Sequence, residues 1–329
     1  MKQYRLSTDE LVEKIENSNL VGLSKGITLI ESSLEKDRLQ AEELLNRLLP
    51  KTGNSIRIGI TGVPGVGKST FIEAFGEYLI NTHNKKVAVL AIDPSSQQTK
   101  GSILGDKTRM EKLAANPNAF IRPSASGKSL GGVANKTRES LLLCEAAGYD
   151  VTIIETVGVG QSETTVKNMT DFFLLLMLPG AGDELQGIKR GIVEMADLLA
   201  INKADGDNLT KANLAKSAYR NALHLLPPHK FGWTPTVTIC SATENNGIDE
   251  IWSSINKYYK TMSNTNSIQR IREEQKGDWL DETLNNRLIE NFLIHPEVKK
   301  QLPILKQKVI AGEVIPSTAT QELIKIVLA

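Results

Sequence analysis

Hydrophobic residues recur along this chain in three regimes. From residue 7 to 49 they fall at helical spacing, with Leu11 and Ile15 followed by Leu34, Leu39, Leu44, Leu45, Leu48 and Leu49. Ser7 and Glu10 have the spacing of a capping box, and Pro50 and Gly53 mark the end of the segment. From Ile56 to about Tyr259 the pattern changes to short apolar runs separated by helical stretches. The runs predict strands at Ile56–Thr61, Lys86–Asp93, Phe120–Pro123, Val151–Glu155, Asp171–Leu178, Asp197–Asn202 and Thr236–Cys240. Helices are predicted at Lys68–Thr82, Gly132–Ala147, Asn208–Leu226 and Ile248–Lys260. Strands alternating with helices imply βαβ units and a mostly parallel sheet covered on both faces. Thr261–Ser267 has the polar composition of a linker, and Ile268–Ala329 is again helical in pattern. A segment this short cannot easily build its own core. It is either an appendage packed on the main domain or an oligomerisation arm. The expected fold is therefore α/β, with an N-terminal helical extension over 1–52, a main domain over 53–262 and a C-terminal helical arm over 263–329.

Composition narrows the classes. The 329 residues are 40% apolar and 23% charged, ordinary for a globular chain. Lys plus Arg is 39 against 38 Asp plus Glu, a net charge of +1 that gives no field for nucleic acid or an anionic membrane. The apolar run Phe172–Leu178 is far short of the ~20 residues that cross a bilayer. Residues 1–20 carry no secretory apolar core, so a cytoplasmic location is expected. The two cysteines, Cys144 and Cys240, form no C-x-x-C pair, and His83, His224, His229 and His295 show no H-x-x-x-H spacing. A disulfide scaffold or a Cys/His metal site is not expected.

The chemistry concentrates in three places. Gly62-Val63-Pro64-Gly65-Val66-Gly67-Lys68-Ser69 matches G-x-x-x-x-G-K-[ST] between a strand and a helix. The glycines let successive amides turn toward phosphate oxygens, and the helix N-terminus adds partial positive charge. Lys68 reaches the β- and γ-phosphates, the Ser69 hydroxyl ligates Mg²⁺, and Thr70 completes the contact run. Asn202-Lys203-Ala204-Asp205 follows a predicted strand and reads as the N-K-x-D loop of GTP-binding proteins. A carboxylate at Asp205 accepts from both the ring N–H and the exocyclic amine of guanine, and adenine offers no such pair. Ser241-Ala242-Thr243 is a second base-side candidate, or an ordinary turn. On the metal side, Glu155 ends a strand in the position of a Walker B acid, and Gly158 is placed for its N–H to sense the γ-phosphate. Asp93 and Asp106 are each either a further metal acid or a turn former. Gln161 is the candidate for orienting the attacking water, although it stands three residues beyond Gly158.

Asp93-Pro94-Ser95-Ser96, Thr99 to Met110, and Glu155-Thr156-Val157-Gly158-Val159-Gly160-Gln161-Ser162-Glu163 resemble the two switch regions of the MeaB/ArgK family of G proteins, the methylmalonyl-CoA mutase-associated GTPases. The resemblance covers the whole chain, with Lys100 a departure where relatives are expected to carry Gly. It implies a P-loop GTPase of the SIMIBI metallochaperone group that binds GTP or GDP and works as a homodimer through its C-terminal arm. It implies that Ser69, Asp93, Asp106 and Glu155 surround Mg²⁺, and that Gly180 to Lys189 is a further switch loop whose Lys189 approaches the nucleotide. The implied role is to chaperone an adenosylcobalamin-dependent acyl-CoA mutase, gating cofactor loading from an adenosyltransferase and helping to eject damaged cofactor. The rival reading is a P-loop ATP-dependent kinase linked to basic amino-acid transport. A scaffold that binds nucleotide without hydrolysing it is a third.

Overall fold

A computed structural model describes residues 5–92, 110–123, 130–156, 162–180, 190–227 and 229–328. It divides into two compact units, residues 1–275 and 276–329.

The first unit is built on seven parallel strands: β1 Ile56–Gly62, β2 Val87–Ile92, β3 Ala119–Pro123, β4 Val151–Thr156, β5 Phe172–Met177, β6 Leu198–Ile201 and β7 Thr236–Ile239. Their order is β3-β2-β4-β1-β5-β6-β7, so β1 lies between β4 and β5. The strands alternate between two interiors, as the period of two requires. Ile58, Ile60, Val89, Ile153, Phe172 and Leu174 face one core, shared with helix α4 (Lys68–His83) and helix α10 (Ile248–Asn264). Ala88, Leu90, Ile154 and Phe173 face the other. There they meet helix α6 (Leu130–Ala146) and the three N-terminal helices α1 (Thr8–Glu16), α2 (Leu20–Glu31) and α3 (Glu35–Leu48). The N-terminal helices thus share a core with the sheet: Ile15, Ile27 and Leu44 are fully buried. Burying each such side chain contributes roughly 1.5–3 kcal/mol. The capping box at Ser7 and Glu10 is formed. A third cluster packs β6 and the end of β5 against α8 (Arg190–Met195) and α9 (Asn208–Leu223) through Val193, Ala212, Ala215 and Tyr219. Two short helices, α5 (Glu111–Ala115) and α7 (Ser162–Lys167), complete the covering of the sheet.

One sequence expectation is corrected here. Thr261–Ser267 is not an extended linker, because α10 continues to Asn264. Met262 is buried on the face that also carries Trp252, Ile255 and Tyr258, so burial holds the polar stretch helical. The break falls at Thr265 and Asn266, where Asn266 takes a φ of 55° and the Thr265 and Ser267 hydroxyls meet at 2.7 Å.

Helix α11 (Ser267–Ile294) begins in the first unit and runs into the second, which also holds α12 (Pro296–Ile310) and α13 (Pro316–Leu328). The small core of the second unit gathers Val298, Leu305, Ala319 and Leu323. Leu280, Leu284 and Leu288, spaced along one stripe of α11, stay exposed. None of the described helices is long and apolar enough to cross a membrane.

Candidate nucleotide site

The carboxyl ends of β1, β4, β6 and β7 meet at one edge of the sheet, where open parallel α/β sheets bind their ligands. Strand β1 delivers the loop Gly62–Gly67 to the start of α4. Gly62 has no room for a side chain, since a Cβ there would lie 2.5 Å from the Leu176 carbonyl of β5. Gly65 and Gly67 have φ of 78° and 85°, values that L side chains resist. Gly67 caps α4 without a side-chain hydrogen bond, so the first-turn amides are not taken by a capping side chain. Val66 points inward and is fully buried, which pins the loop to the core.

Lys68 Nζ donates to the Gly62 carbonyl at 2.9 Å, folding over the loop. Burial lowers its pKa, against the Glu155 and Glu163 carboxylates nearby. A partly desolvated ammonium beside a ring of amides is a poor group to bury alone and a good partner for a polyphosphate. Glu155, placed by the pairing of β4 with β1 in which it lies opposite Ile60, brings Oε1 to 3.5 Å from Ser69 Oγ. A hydroxyl and a carboxylate this close are the hard oxygen donors that Mg²⁺ takes. The buried Thr156 hydroxyl donates to Thr61 Oγ1 at 2.7 Å and ties the ends of the same two strands.

The base side is assembled from loops far apart in sequence. Asn202, 1% exposed, follows β6. Its Nδ2 donates to the Val66 carbonyl at 2.8 Å, while its Oδ1 accepts from the Ala242 amide at 3.1 Å. The Cys240 thiol, whose pKa burial pushes up to about 12, also points at Oδ1 from 3.6 Å. Asn202 therefore holds the phosphate loop and the Ser241–Thr243 loop in one frame. Asp205 Oδ2 accepts from Ser241 Oγ at 2.6 Å and from Thr243 Oγ1 at 3.3 Å, which orients the carboxylate. Lys203 has a φ of 59°, and its aliphatic stem passes beside Gly67.

Of the sequence-predicted residues, Gly62 to Ser69, Glu155, Asn202, Lys203, Asp205, Ser241, Ala242 and Thr243 come together at this edge, and Thr70 is exposed on the first turn of α4. Asp93, Asp106, Gly158, Gln161 and Lys189 lie outside the described residues. The tying role of Asn202 was not visible in the sequence, where it stands as one letter of a base-reading motif. Nothing in its neighbours names Val66 as a partner.

The family described as methylmalonyl Co-A mutase-associated GTPase MeaB matches residues 23–297. The chain belongs to this family of GTPases. A relative from Caulobacter vibrioides, described as a putative GTPase, is 50% identical over 97% of both chains. The protein described as GTPase ArgK from Escherichia coli is 48% identical over 86% of both. A solved structure described as a LAO/AO transport system kinase matches with a TM-score of 0.76 and 37% identity over 98% of each chain. The fold expected from the sequence, a parallel α/β sheet of the P-loop GTPase kind, is the one observed.

Proposed function

We propose that this chain is a magnesium-dependent GTPase that serves as the homodimeric chaperone of an adenosylcobalamin-dependent acyl-CoA mutase of the methylmalonyl-CoA mutase type. It gates cofactor loading from an adenosyltransferase and protects or reactivates the mutase. The observation that carries the nucleotide reading is the pair of hydrogen bonds made by the Asn202 side chain, one to the Val66 carbonyl and one from the Ala242 amide, which sets the phosphate loop and the Asp205–Ser241 pair in a fixed frame. A purine nucleotide whose phosphates lie along Gly62–Ser69 brings its base toward Asp205. The mutase partnership is supported by the family's description and by the match over most of the chain. The exposed stripe Leu280, Leu284 and Leu288 supports dimerisation through the arm over 263–329.

In this reading the loop amides and the N-terminus of α4 bind the negative charge of the β- and γ-phosphates. Lys68 leaves the Gly62 carbonyl for the phosphoryl oxygens, where its ammonium stabilises the charge that grows toward the leaving oxygen. Ser69 and Glu155 are the described residues that would hold Mg²⁺, with Asp93 and Asp106 as further candidates. When bound, the ion supplies charge neutralisation at the phosphates. Gly158 senses the γ-phosphate, Gln161 orients water, and Lys189 adds positive charge at the nucleotide. Asp205, fixed by Ser241 and Thr243, accepts the two donors of guanine, a pair that adenine does not offer to its remaining lone pairs.

The test is a titration of labelled GTP, GDP and ATP against the wild type and Asp205→Asn. The wild type is expected to prefer GTP over ATP by at least ~100-fold, and Asp205→Asn to erase most of that preference. Equal affinity of the wild type for the two bases would end the guanine reading of Asp205. Co-purification with a cobalamin-dependent mutase, and faster phosphate release in its presence, would test the partnership and separate it from a scaffold that does not hydrolyse nucleotide.

A further inference from the structure

Four neighbouring strands end at the nucleotide edge, and they are tied to one another in different ways. On one side β1 stays paired with β5 as far as Gly62 opposite Leu176. On the other, β4 stays paired with β2 as far as Thr156 opposite Ile92. Between β1 and β4 the backbone register stops earlier, at Ile60 opposite Glu155. That seam separates the phosphate loop, which starts at Gly62, from the acid that faces Ser69 Oγ at 3.5 Å. Past the last backbone pair, side chains close it: the Thr156 hydroxyl donates to Thr61 Oγ1 at 2.7 Å. Thr156 directly follows Glu155, and Thr61 directly precedes Gly62. Successive residues of a strand face opposite sides, so the two hydroxyls lie on the face of the sheet away from Ile60 and Glu155. On that face Gly59, two residues before Thr61, is packed so closely that a Cβ would sit 2.7 Å from Val166. The two threonines are 2% and 0% exposed, so neither hydroxyl has water in reach. Valine has the same branched outline and suits a strand as well, so strand formation does not account for the hydroxyls.

We propose that Thr61 and Thr156 are positioning residues for the magnesium–nucleotide complex: their hydrogen bond holds the seam between β1 and β4 at the width that sets Glu155 against Ser69. The inference rests on the reading of Ser69 and Glu155 as holders of Mg²⁺. The hydroxyl oxygens are 2.7 Å apart, whereas a methyl group in place of either one stands off at about 3.5–4.0 Å. The strand ends then part by about 1 Å, or one side chain turns away and leaves the other hydroxyl unpaired. Mg²⁺ takes its oxygen donors in a narrow shell at about 2.0–2.1 Å, so a change of that size between Glu155 and Ser69 weakens its hold. From the far face of the sheet the threonines act only through the residues beside them. A merely structural pair has a different signature. Its loss would lower stability and leave the effect of Mg²⁺ on the nucleotide as it was. Replacing both threonines by valine separates the two roles. The double change removes the unpaired hydroxyl that destabilises each single variant, but it keeps the wider spacing.

The experiment uses the full-length protein with labelled GDP as the probe. GDP release is timed with Mg²⁺ and with EDTA, single-turnover GTP hydrolysis is followed over a range of Mg²⁺ concentrations, and thermal stability is recorded for each variant. In the wild type Mg²⁺ is expected to slow GDP release. Thr156→Val and Thr61→Val are expected to lose most of that slowing and to need about tenfold more Mg²⁺ for half-maximal hydrolysis, while release in EDTA stays within about threefold of wild type. The double variant regains stability and keeps the Mg²⁺ defect, and Thr156→Ser, which retains a hydroxyl, keeps most of the slowing. A wild-type response to Mg²⁺ in folded Thr156→Val, a loss of GDP affinity equal with and without Mg²⁺, or a response that the double variant regains together with its stability overturns the proposal. Should the single variants fail to fold, the double variant decides by the same readings. A wild type whose GDP release ignores Mg²⁺ would instead remove the magnesium reading of Ser69 and Glu155, and the inference with it.

Discussion

Replacing Asn202 by Ala is the sharpest perturbation of the site as a whole. The side chain satisfies two buried backbone groups at once, the Val66 carbonyl at 2.8 Å and the Ala242 amide at 3.1 Å. Alanine satisfies neither, and with Asn202 only 1% exposed, water has no ready path to replace it. Each orphaned group costs about 1–3 kcal/mol, so the folded state should lose roughly 2–6 kcal/mol unless the loops open to solvent. If they open, binding must re-order both, and about 1.4–3 kcal/mol of that cost appears as a 10- to 100-fold weaker affinity. Urea denaturation with and without GDP, together with a fluorescent-GDP titration, reads both limits. GTP and GDP should weaken together, since the frame serves phosphate and base alike. Asn202→Asp is the companion variant. It keeps the acceptor for the Ala242 amide but sets a carboxylate oxygen against the Val66 carbonyl, and it should be at least as damaging as Ala. A folded Asn202→Ala protein with wild-type stability and GDP affinity within about threefold of wild type would refute the reasoning, because two buried groups cannot both lose their partner at no cost.

Two further outcomes follow from the charges and the surface. Burial alone would raise the pKa of Asp197, but the Lys167 ammonium and the hydrogen bonds from His229 and Lys167 outweigh it and hold the carboxyl below its ordinary value. Its stabilising contribution is therefore complete above the unfolded Asp value of about 3.9 and lost as pH falls through the lower folded value. Comparison of the wild type with Asp197→Asn by denaturation from pH 7 to pH 2 should show a large gap that closes only at the acid end, and a gap independent of pH would contradict it. On α11, Leu284→Glu places a charge in the exposed stripe of Leu280, Leu284 and Leu288; if the proposed dimer forms through that stripe, light scattering should report a dimer for the wild type and a monomer for the variant. A dimer that persists in Leu284→Glu would place the interface elsewhere.

The local parts of the molecule were legible in the residues. The seven strands were each found within a residue or two of their ends, because a strand in a sheet buried on both faces is a short unbroken apolar run. The phosphate loop was legible for a similar reason: Gly65 and Gly67 adopt conformations that only glycine takes readily, so the backbone path is written in the letters. The Thr261–Ser267 stretch misled because its polarity was read without the face it shares with Trp252 and Tyr258. The partnership of Asn202 with Val66 had no local signal at all.

Sequence by itself determined the alternation of strand and helix, the glycine turn after β1 and the place of the acid that we propose tests for guanine. These follow from the conformational limits of glycine, from the period of apolar residues and from the hydrogen-bonding complement of a carboxylate, all of them properties of residues near one another. Tertiary structure alone decided that β1 lies between β4 and β5, that Asn202 reaches Val66, and that the hydroxyls of Thr61 and Thr156 meet. Strand order depends on how whole faces of the sheet and its helices pack. Periodicity says which side of a strand is buried, and leaves open which neighbour buries it.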